Sequence, residues 1–382
     1  MPNKSPLFAE FPSIDRAEWM AKIEKDLKGK ALETLYWEPE PGLKIPPLFH
    51  PADSPQSSSL TDSRVANQWE IGQLIKVADL KETNQKVLAS LQGGANALEF
   101  ELESPLTKAQ LGVLLKDVIP SYISLHFSWK TEAFPVITFW EAMQAYLADQ
   151  GVASDAWSGS LSWTPTLDQH SLGQTAQLIR NSGQAPVQLL HIKSPAVRSL
   201  DMAEDLATQI LAGQTYIAKL QALGINARES AHCIQFAITT NNTFFVEIAR
   251  IRALKMLWAN VLKAYELDTS VMQITAYTAA PTTVDDPYHF MIQSATQAMS
   301  AVIGGASKLF VTAADHGHGT TDTRFTDNPD FGPRIARNVQ HLLQLESFMD
   351  RVIDPGAGSY YIEHLTQEVA AKAWKRFQEQ AL

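Results

Sequence analysis

From residue 69 onward, apolar residues fall into short runs that alternate with longer stretches where they recur every third or fourth position. The runs at 69–77, 97–102, 122–127, 160–163, 187–192, 234–239, 271–275 and 309–312 have the length and side-chain content of strands. Between them, helical spacing predicts helices over 79–91, 106–118, 131–150, 244–265 and 286–303, and another on the stripe Leu206, Ile210, Gly213, Ile217 and Leu220. Asp79 with Glu82 has the spacing of a capping box, and Pro135 falls near the start of its helix. Eight strand–helix alternations are what a (β/α)8 TIM barrel of the α/β class requires. An open doubly wound sheet would carry a Gly-rich first turn, and neither G-x-G-x-x-G nor G-x-x-x-x-G-K occurs.

Both flanks of this pattern differ from it. Residues 13–29 form an amphipathic helix with Ser13 as N-cap, Trp19, Ile23 and Leu27 on one stripe, and Gly29 placed to end it. Pro39, Pro41, Pro46, Pro47, Pro51 and Pro55 then exclude regular structure and make an extended segment, either an arm or a plain linker. The expected organisation is an N-terminal helical and extended arm over 1–60 and a barrel over 61–382. Near the end, Ile335, Val339, Leu342 and Leu343 share one helix face, with Arg334, Arg337 and Asn338 on the other. That helix should stop before Asp354-Pro355-Gly356, and a second helix over 363–377 closes the chain.

A chain of 382 residues, 45% hydrophobic, can bury a large core. Its 31 basic and 41 acidic residues leave a net charge of -10, the wrong sign for binding nucleic acid or an anionic membrane. Cys233 is the only cysteine, which excludes an intramolecular disulfide and a thiolate metal cluster and fits a buried thiol in a reducing cytoplasm. The N-terminus has no apolar run suited to a signal sequence, and no stretch of about 18 apolar residues spans a membrane. The cytoplasm is the expected location.

Three stretches carry a resemblance. The first is Phe331–Thr366, with Arg334-Ile335-Ala336-Arg337-Asn338, Gln340, Leu345-Glu346-Ser347, Asp354-Pro355, Gly358-Ser359-Tyr360-Tyr361, Glu363 and Leu365-Thr366. The second is Asp286-Pro287-Tyr288, opening a helix that runs through Ala298-Met299 to Gly304-Gly305. The third is Trp19, Lys22-Ile23, Lys25-Asp26-Leu27-Lys28-Gly29 and Leu35-Tyr36-Trp37. Together they resemble, in order, the acyl-CoA-binding barrel of the adenosylcobalamin-dependent acyl-CoA mutases, the methylmalonyl-CoA mutase family.

The resemblance implies where chemistry would sit, and this chain departs from it there. Catalytic members carry a histidine and a glutamine before Asp-Pro-Tyr that contact the substrate; Thr275 and Tyr277 stand at those positions, followed by Thr278. A hydroxyl cannot share a proton near neutral pH as an imidazole does. Catalytic members also have a segment rich in Arg, Pro, Trp and Tyr before the first strand. Residues 60–77 offer only Arg64 and Trp69 in its place. Thr275, Tyr277 and Thr278 therefore read as degenerate site positions, with no catalytic or cofactor-binding residue expected. The reading is a chain like the small subunit of a heterodimeric mutase, whose large catalytic subunit holds the adenosylcobalamin and which this chain's arm would wrap; in isolation it could self-associate. The C-terminal cobalamin-binding domain of full-length family members is expected to be absent from this chain. Asp168-Gln169-His170-Ser171-Leu172-Gly173 matches the family's cobalt-ligating pattern, but it falls inside the barrel and reads as a helix-capping turn.

Two alternatives remain. One is a catalytically competent acyl-CoA mutase barrel of a split enzyme. The other is a metal-dependent barrel hydrolase using His316 and His318, in the cluster Asp315-His316-Gly317-His318 with Asp322, Arg324 and Asp327 behind it. Such a site needs further ligands from other strand ends, and His126, His191 and His232 are scattered, so no metal is expected. Gly93-Gly94 and Gly304-Gly305 read as helix ends, and Arg334 with Arg337 as a solvated or partner-facing helix face rather than a phosphate clamp.

Overall fold

The computed structural model describes residues 14–50, 64–129, 134–153, 156–183, 185–194, 201–268, 272–280, 286–315 and 327–381. Nine parallel strands make one sheet: β1 (Glu70–Lys76), β2 (Ala97–Leu102), β3 (Ser124–Trp129), β4 (Ser158–Leu161), β5 (Val187–Gln188), β6 (Leu190–Lys193), β7 (Ile234–Thr240), β8 (Gln273–Thr278) and β9 (Lys308–Phe310). Their order is β5-β4-β3-β2-β1-β9-β8-β7-β6. The two ends of that order are consecutive in the chain, so the sheet returns on itself as a (β/α)8 TIM barrel.

The fifth strand expected from sequence is thus two short ones, broken at Leu189. The amides of Leu189 and Leu190 both donate to the carbonyl of Cys233, at 2.9 Å each. Two residues opposing one make a bulge, which turns both Gln188 and His191 inward where strict alternation would allow only one. Nothing in the apolar pair Leu189-Leu190 announces it.

Eleven helices are described: α1 (Arg16–Leu27), α2 (Leu80–Gln92), α3 (Lys108–Leu114), α4 (Val136–Asp149), α5 (Gln169–Ser182), α6 (Met202–Ala222), α7 (Ala227–His232), α8 (Phe244–Ala264), α9 (Pro287–Gly304), α10 (Phe331–His341) and α11 (Tyr360–Ala381). The expected helices are present, most with shorter bounds; α5 and the single-turn-length α7 were not anticipated. α1 starts after Asp15, whose carboxylate accepts from the Glu18 amide, and Ser13 lies outside the described residues. Asp79 caps α2 through the amides of Lys81 and Glu82. Gly94 (φ +86°) and Gly305 (φ +89°) turn the chain at the ends of α2 and α9 in the left-handed region.

The core lies between the sheet and the helices. Phe100 stacks on Phe127 at 5.3 Å, Phe127 meets Phe139 of α4 edge-on, and Phe236 meets Trp258 of α8. These contacts fix which residues point outward, and hence which line the bore.

Part of the proline-rich segment lies on the chain's own barrel. Trp37 and Ile45 form an antiparallel bridge, Leu43 and Ile45 are buried, the Met202 amide of α6 donates to Glu40, and Lys372 of α11 donates to the Gly42 carbonyl. By contrast, α1 buries none of its residues.

Candidate functional site: the barrel bore

A TIM-barrel interior is ordinarily filled by layers of branched apolar side chains. This one carries a polar belt. Its inward residues include Glu70 on β1, Glu99 on β2, Ser124 and His126 on β3, Ser160 on β4, Gln188 on β5, His191 on β6, Gln235 on β7, Thr275 and Tyr277 on β8, and Lys308 on β9. All but Glu70 and Tyr277 are buried.

On one side the belt is saturated. Ser124 Oγ donates to Glu70, so it accepts from His126 Nε2 at 3.0 Å, and His126 Nδ1 is left to accept from Ser160 Oγ at 2.8 Å. That chain of donors fixes the tautomer. Burial pulls the His126 imidazole below its ordinary value, with Lys308 adding to the effect and Glu70 opposing it. Burial alone would raise Glu70, but His126, Lys308 and Ser124 together hold its carboxyl below the usual range. Burial also pulls His191 down, to about 3, helped by Lys193, His126 and Lys308, so both rings are neutral at pH 7.

Two contacts bridge the bore between strands three or more apart in the ring. Tyr277 Oη donates to Glu99 Oε2 at 2.6 Å, and Lys308 Nζ donates to Gln188 Oε1 at 3.0 Å. The Tyr277 ring stacks on Phe310 at 5.3 Å, the Phe310 ring meets the edge of His126 at 5.8 Å, and Lys193 Nζ sits 5.3 Å from the Tyr277 ring. Phe310 fills the space left by Gly72, where a Cβ would lie 2.6 Å from its ring. Burial, reinforced by Glu99, raises the Tyr277 phenol well above its ordinary value, so it stays a neutral donor. The bore is crossed, not open end to end.

Of the degenerate positions, Thr275 and Tyr277 face the bore, while Thr278 points between strands and accepts from the Thr312 amide at 2.8 Å. His126 and His191, far apart in sequence, both face the bore and act on one another electrostatically. The pattern was readable: Ser124-x-His126-x-Ser128 and Ser158-x-Ser160-x-Ser162 alternate polar with apolar in parallel strands, which are ordinarily apolar throughout. His232 ends α7, apart from the belt.

A family model described as Methylmalonyl-CoA mutase matches residues 199–381. Over 98% of its length the chain is 31% identical to the methylmalonyl-CoA mutase small subunit of Porphyromonas gingivalis, and 28% identical to that of Streptomyces virginiae. The small subunit from Propionibacterium freudenreichii is 24% identical over 99% of the chain. The chain belongs to the methylmalonyl-CoA mutase family. It spans 64% of the length of each of these three relatives.

Much of the wording shared with this family holds the fold together. Arg252 of α8, fully buried, pairs with Asp354 and Glu363 and donates to Thr366 Oγ1, gathering three residues of the closing motif on one guanidinium. Gly358, at φ +79°, turns its amide to Glu363 Oε1 at 3.1 Å. Arg337, expected on a solvated or partner-facing face, is buried instead. It donates to Gln73 Oε1 at 2.8 Å and ties α10 to β1 and α2, while Arg334 stays exposed.

The cobalamin pattern does not fit a ligand. Asp168 is the N-cap of α5, its carboxylate accepting from the amides of His170 and Ser171 and from two hydroxyls, which hold its carboxyl well below the usual range. The segment is the helix-capping turn that its sequence suggests, and it opens α5. His316 and His318 lie outside the described residues, as do Asp322 and Arg324. Among the described residues no three His, Cys, Asp or Glu side chains are grouped to hold a metal, and no helix is long and apolar enough to cross a membrane.

Proposed function

We propose that this chain is the structural, non-catalytic barrel of a two-chain adenosylcobalamin-dependent mutase that interconverts methylmalonyl-CoA and succinyl-CoA. The observation that carries the reading is the crossed bore: Tyr277 hydrogen-bonds to Glu99 and stacks on Phe310 where an acyl-CoA would have to pass. Thr275 adds to it, a buried hydroxyl at the position where the family's catalytic members place an imidazole. The similarity to three chains named small subunits points the same way.

In this reading the large catalytic subunit binds the acyl-CoA and the cobalamin, which supplies bond homolysis when bound. This chain supplies a rigid surface in a cytoplasmic heterodimer. The N-terminal arm within residues 1–60 reaches the partner, with the exposed α1 as the first element available for that contact, while the stretch from Trp37 to Ile45 stays on the chain's own barrel. The test is reconstitution. Co-expressed with a mutase large subunit, the chain should co-purify with it and raise isomerase turnover. Incubated alone with methylmalonyl-CoA and adenosylcobalamin, it should give none, and turnover by the lone chain would overturn the reading.

A further inference from the structure

A cavity of about 510 Å3 lies beneath α1, outside the bore. Four segments wall it. α1 contributes Trp19 and Met20, the short turn Leu32–Leu35 ends on Tyr36, the proline-rich stretch brings Pro46, Pro47 and Phe49, and His364 stands on α11. The volume falls within the about 300–1,000 Å3 of small-molecule sites.

The two sides of the cavity are held differently. On the proline-rich side Leu43 and Ile45 are buried, Glu40 and Gly42 are bonded to α6 and α11, and the Phe49 ring lies 4.8 Å from that of His364 and 5.5 Å from that of Tyr361. Pro46-Pro47 stiffens the chain there, so this wall is fixed on the barrel. The α1 wall is not. Its apolar stripe, Trp19, Met20, Ile23 and Leu27, is half-buried and the rest of its 12 residues are exposed. It joins the chain through two consecutive left-handed residues, Lys28 at φ +50° and Gly29 at φ +88°. So short a helix is marginal by itself in water and depends on what its stripe packs against. Trp19 and Met20 face the cavity rather than a packed core, so an occupant would supply the burial that α1 lacks.

The lining sets the chemistry of that occupant. The rings of Trp19, Tyr36 and Phe49 and the Met20 thioether favour a flat aromatic body, through stacking, edge contacts and sulfur–ring contacts. The carboxylate and guanidinium of the lining, Asp15 and Arg16, are of opposite sign, and Asp15 already accepts from the Glu18 amide. Neither sign of charge is matched, and an ionised ligand would lose hydration without compensation. The His364 imidazole can make one hydrogen bond to a neutral polar group on the ring.

We propose that this cavity is a binding site for one small uncharged aromatic compound, held between α1 and the proline-rich stretch, with α1 closing over it about Lys28-Gly29. The site does not rest on the mutase reading, since it needs neither a partner subunit nor an acyl-CoA.

The probe is N-phenyl-1-naphthylamine, uncharged and fluorescent in apolar surroundings, with 8-anilinonaphthalene-1-sulfonate as its anionic counterpart on nearly the same skeleton. The full chain is titrated with each at about pH 8, where an ordinary imidazole is uncharged. Saturable uptake of one amine per chain is expected, with the sulfonate at least about tenfold weaker. Trp19→Ala and Tyr36→Ala should each weaken the amine several-fold or more, and Trp19→Phe should retain most of the affinity. Because α1 buries none of its residues, Trp19→Ala should leave the unfolding temperature unchanged, which separates loss of the site from loss of the fold. Absence of saturable uptake, equal binding of the sulfonate, or full affinity in Trp19→Ala would each overturn the proposal. So would an affinity that rises in the double variant Phe8→Ala, Phe11→Ala, since the chain's own first residues would then be the occupant.

Discussion

A hydrogen at position 72 makes room for the aromatic plug of the bore. In Gly72→Ala the added methyl would meet the Phe310 ring at 2.6 Å and the Leu309 carbonyl at the same distance, contacts that cannot relax without moving β9. The expected loss is about 1–3 kcal/mol of stability, measured by urea denaturation. His191 makes a second prediction at this scale. Its folded value, about 3, lies below the ordinary 6.5, so between those limits the unfolded chain binds a proton that the folded chain does not. Stability should then fall as pH drops from 6.5 toward 3, by about 1.4 kcal/mol per pH unit from this group, with His126 acting in the same direction. Denaturation midpoints across that range should show a shallower slope in His191→Gln. An unchanged slope would mean that the ring is not held neutral. The two histidines were hard to place from sequence, because an isolated imidazole is compatible with any buried or surface site. The alternation of serines around them was the informative pattern.

At the scale of elements, two buried arginines two residues apart on α8 tie the helices together, and the closing motif acts through the second of them. Arg250 pairs with Asp205 of α6 and with Glu247, at 3.1 Å to the latter, and donates to the Thr239 carbonyl at 3.2 Å. Arg252 holds Asp354 and Glu363, the second at 2.9 Å. Arg252→Met would leave Glu363, 1% exposed, as an uncompensated charge under α11 and should cost about 3–5 kcal/mol, read from the shift in denaturation midpoint. A cost below about 1 kcal/mol would show that the motif is not held this way. Long helices rich in apolar residues, such as α6 and α8, could be placed from their length and spacing alone. α5 could not, since its polar sequence hid the stripe, although the helix-capping turn at Asp168 marked where it begins. The break at Leu189 could not either, because the Cys233 carbonyl across the ladder sets it. Arg337 was misplaced for a related reason: helical phase puts it opposite Val339, but α10 is packed widely enough to bury both.

For the whole molecule, the count of strand–helix alternations was enough to reach the barrel, because parallel strands joined by helices have few ways to close. The family was legible in the closing motif, the Asp-Pro-Tyr helix start and the α1 pattern, which lie far apart in the chain and keep the family's order. What fills the bore was not legible, since it depends on strand register and on which of two faces each residue takes. The account's central claim is that the crossed bore cannot thread an acyl-CoA. Equilibrium binding of methylmalonyl-CoA to the isolated chain tests it most directly, with a crystal structure of the soaked protein to locate any ligand. The account predicts no saturable binding in the bore and the Tyr277–Glu99 contact intact. A one-to-one complex with the thioester inside the barrel, its carbonyl touching His126 or His191, would contradict it.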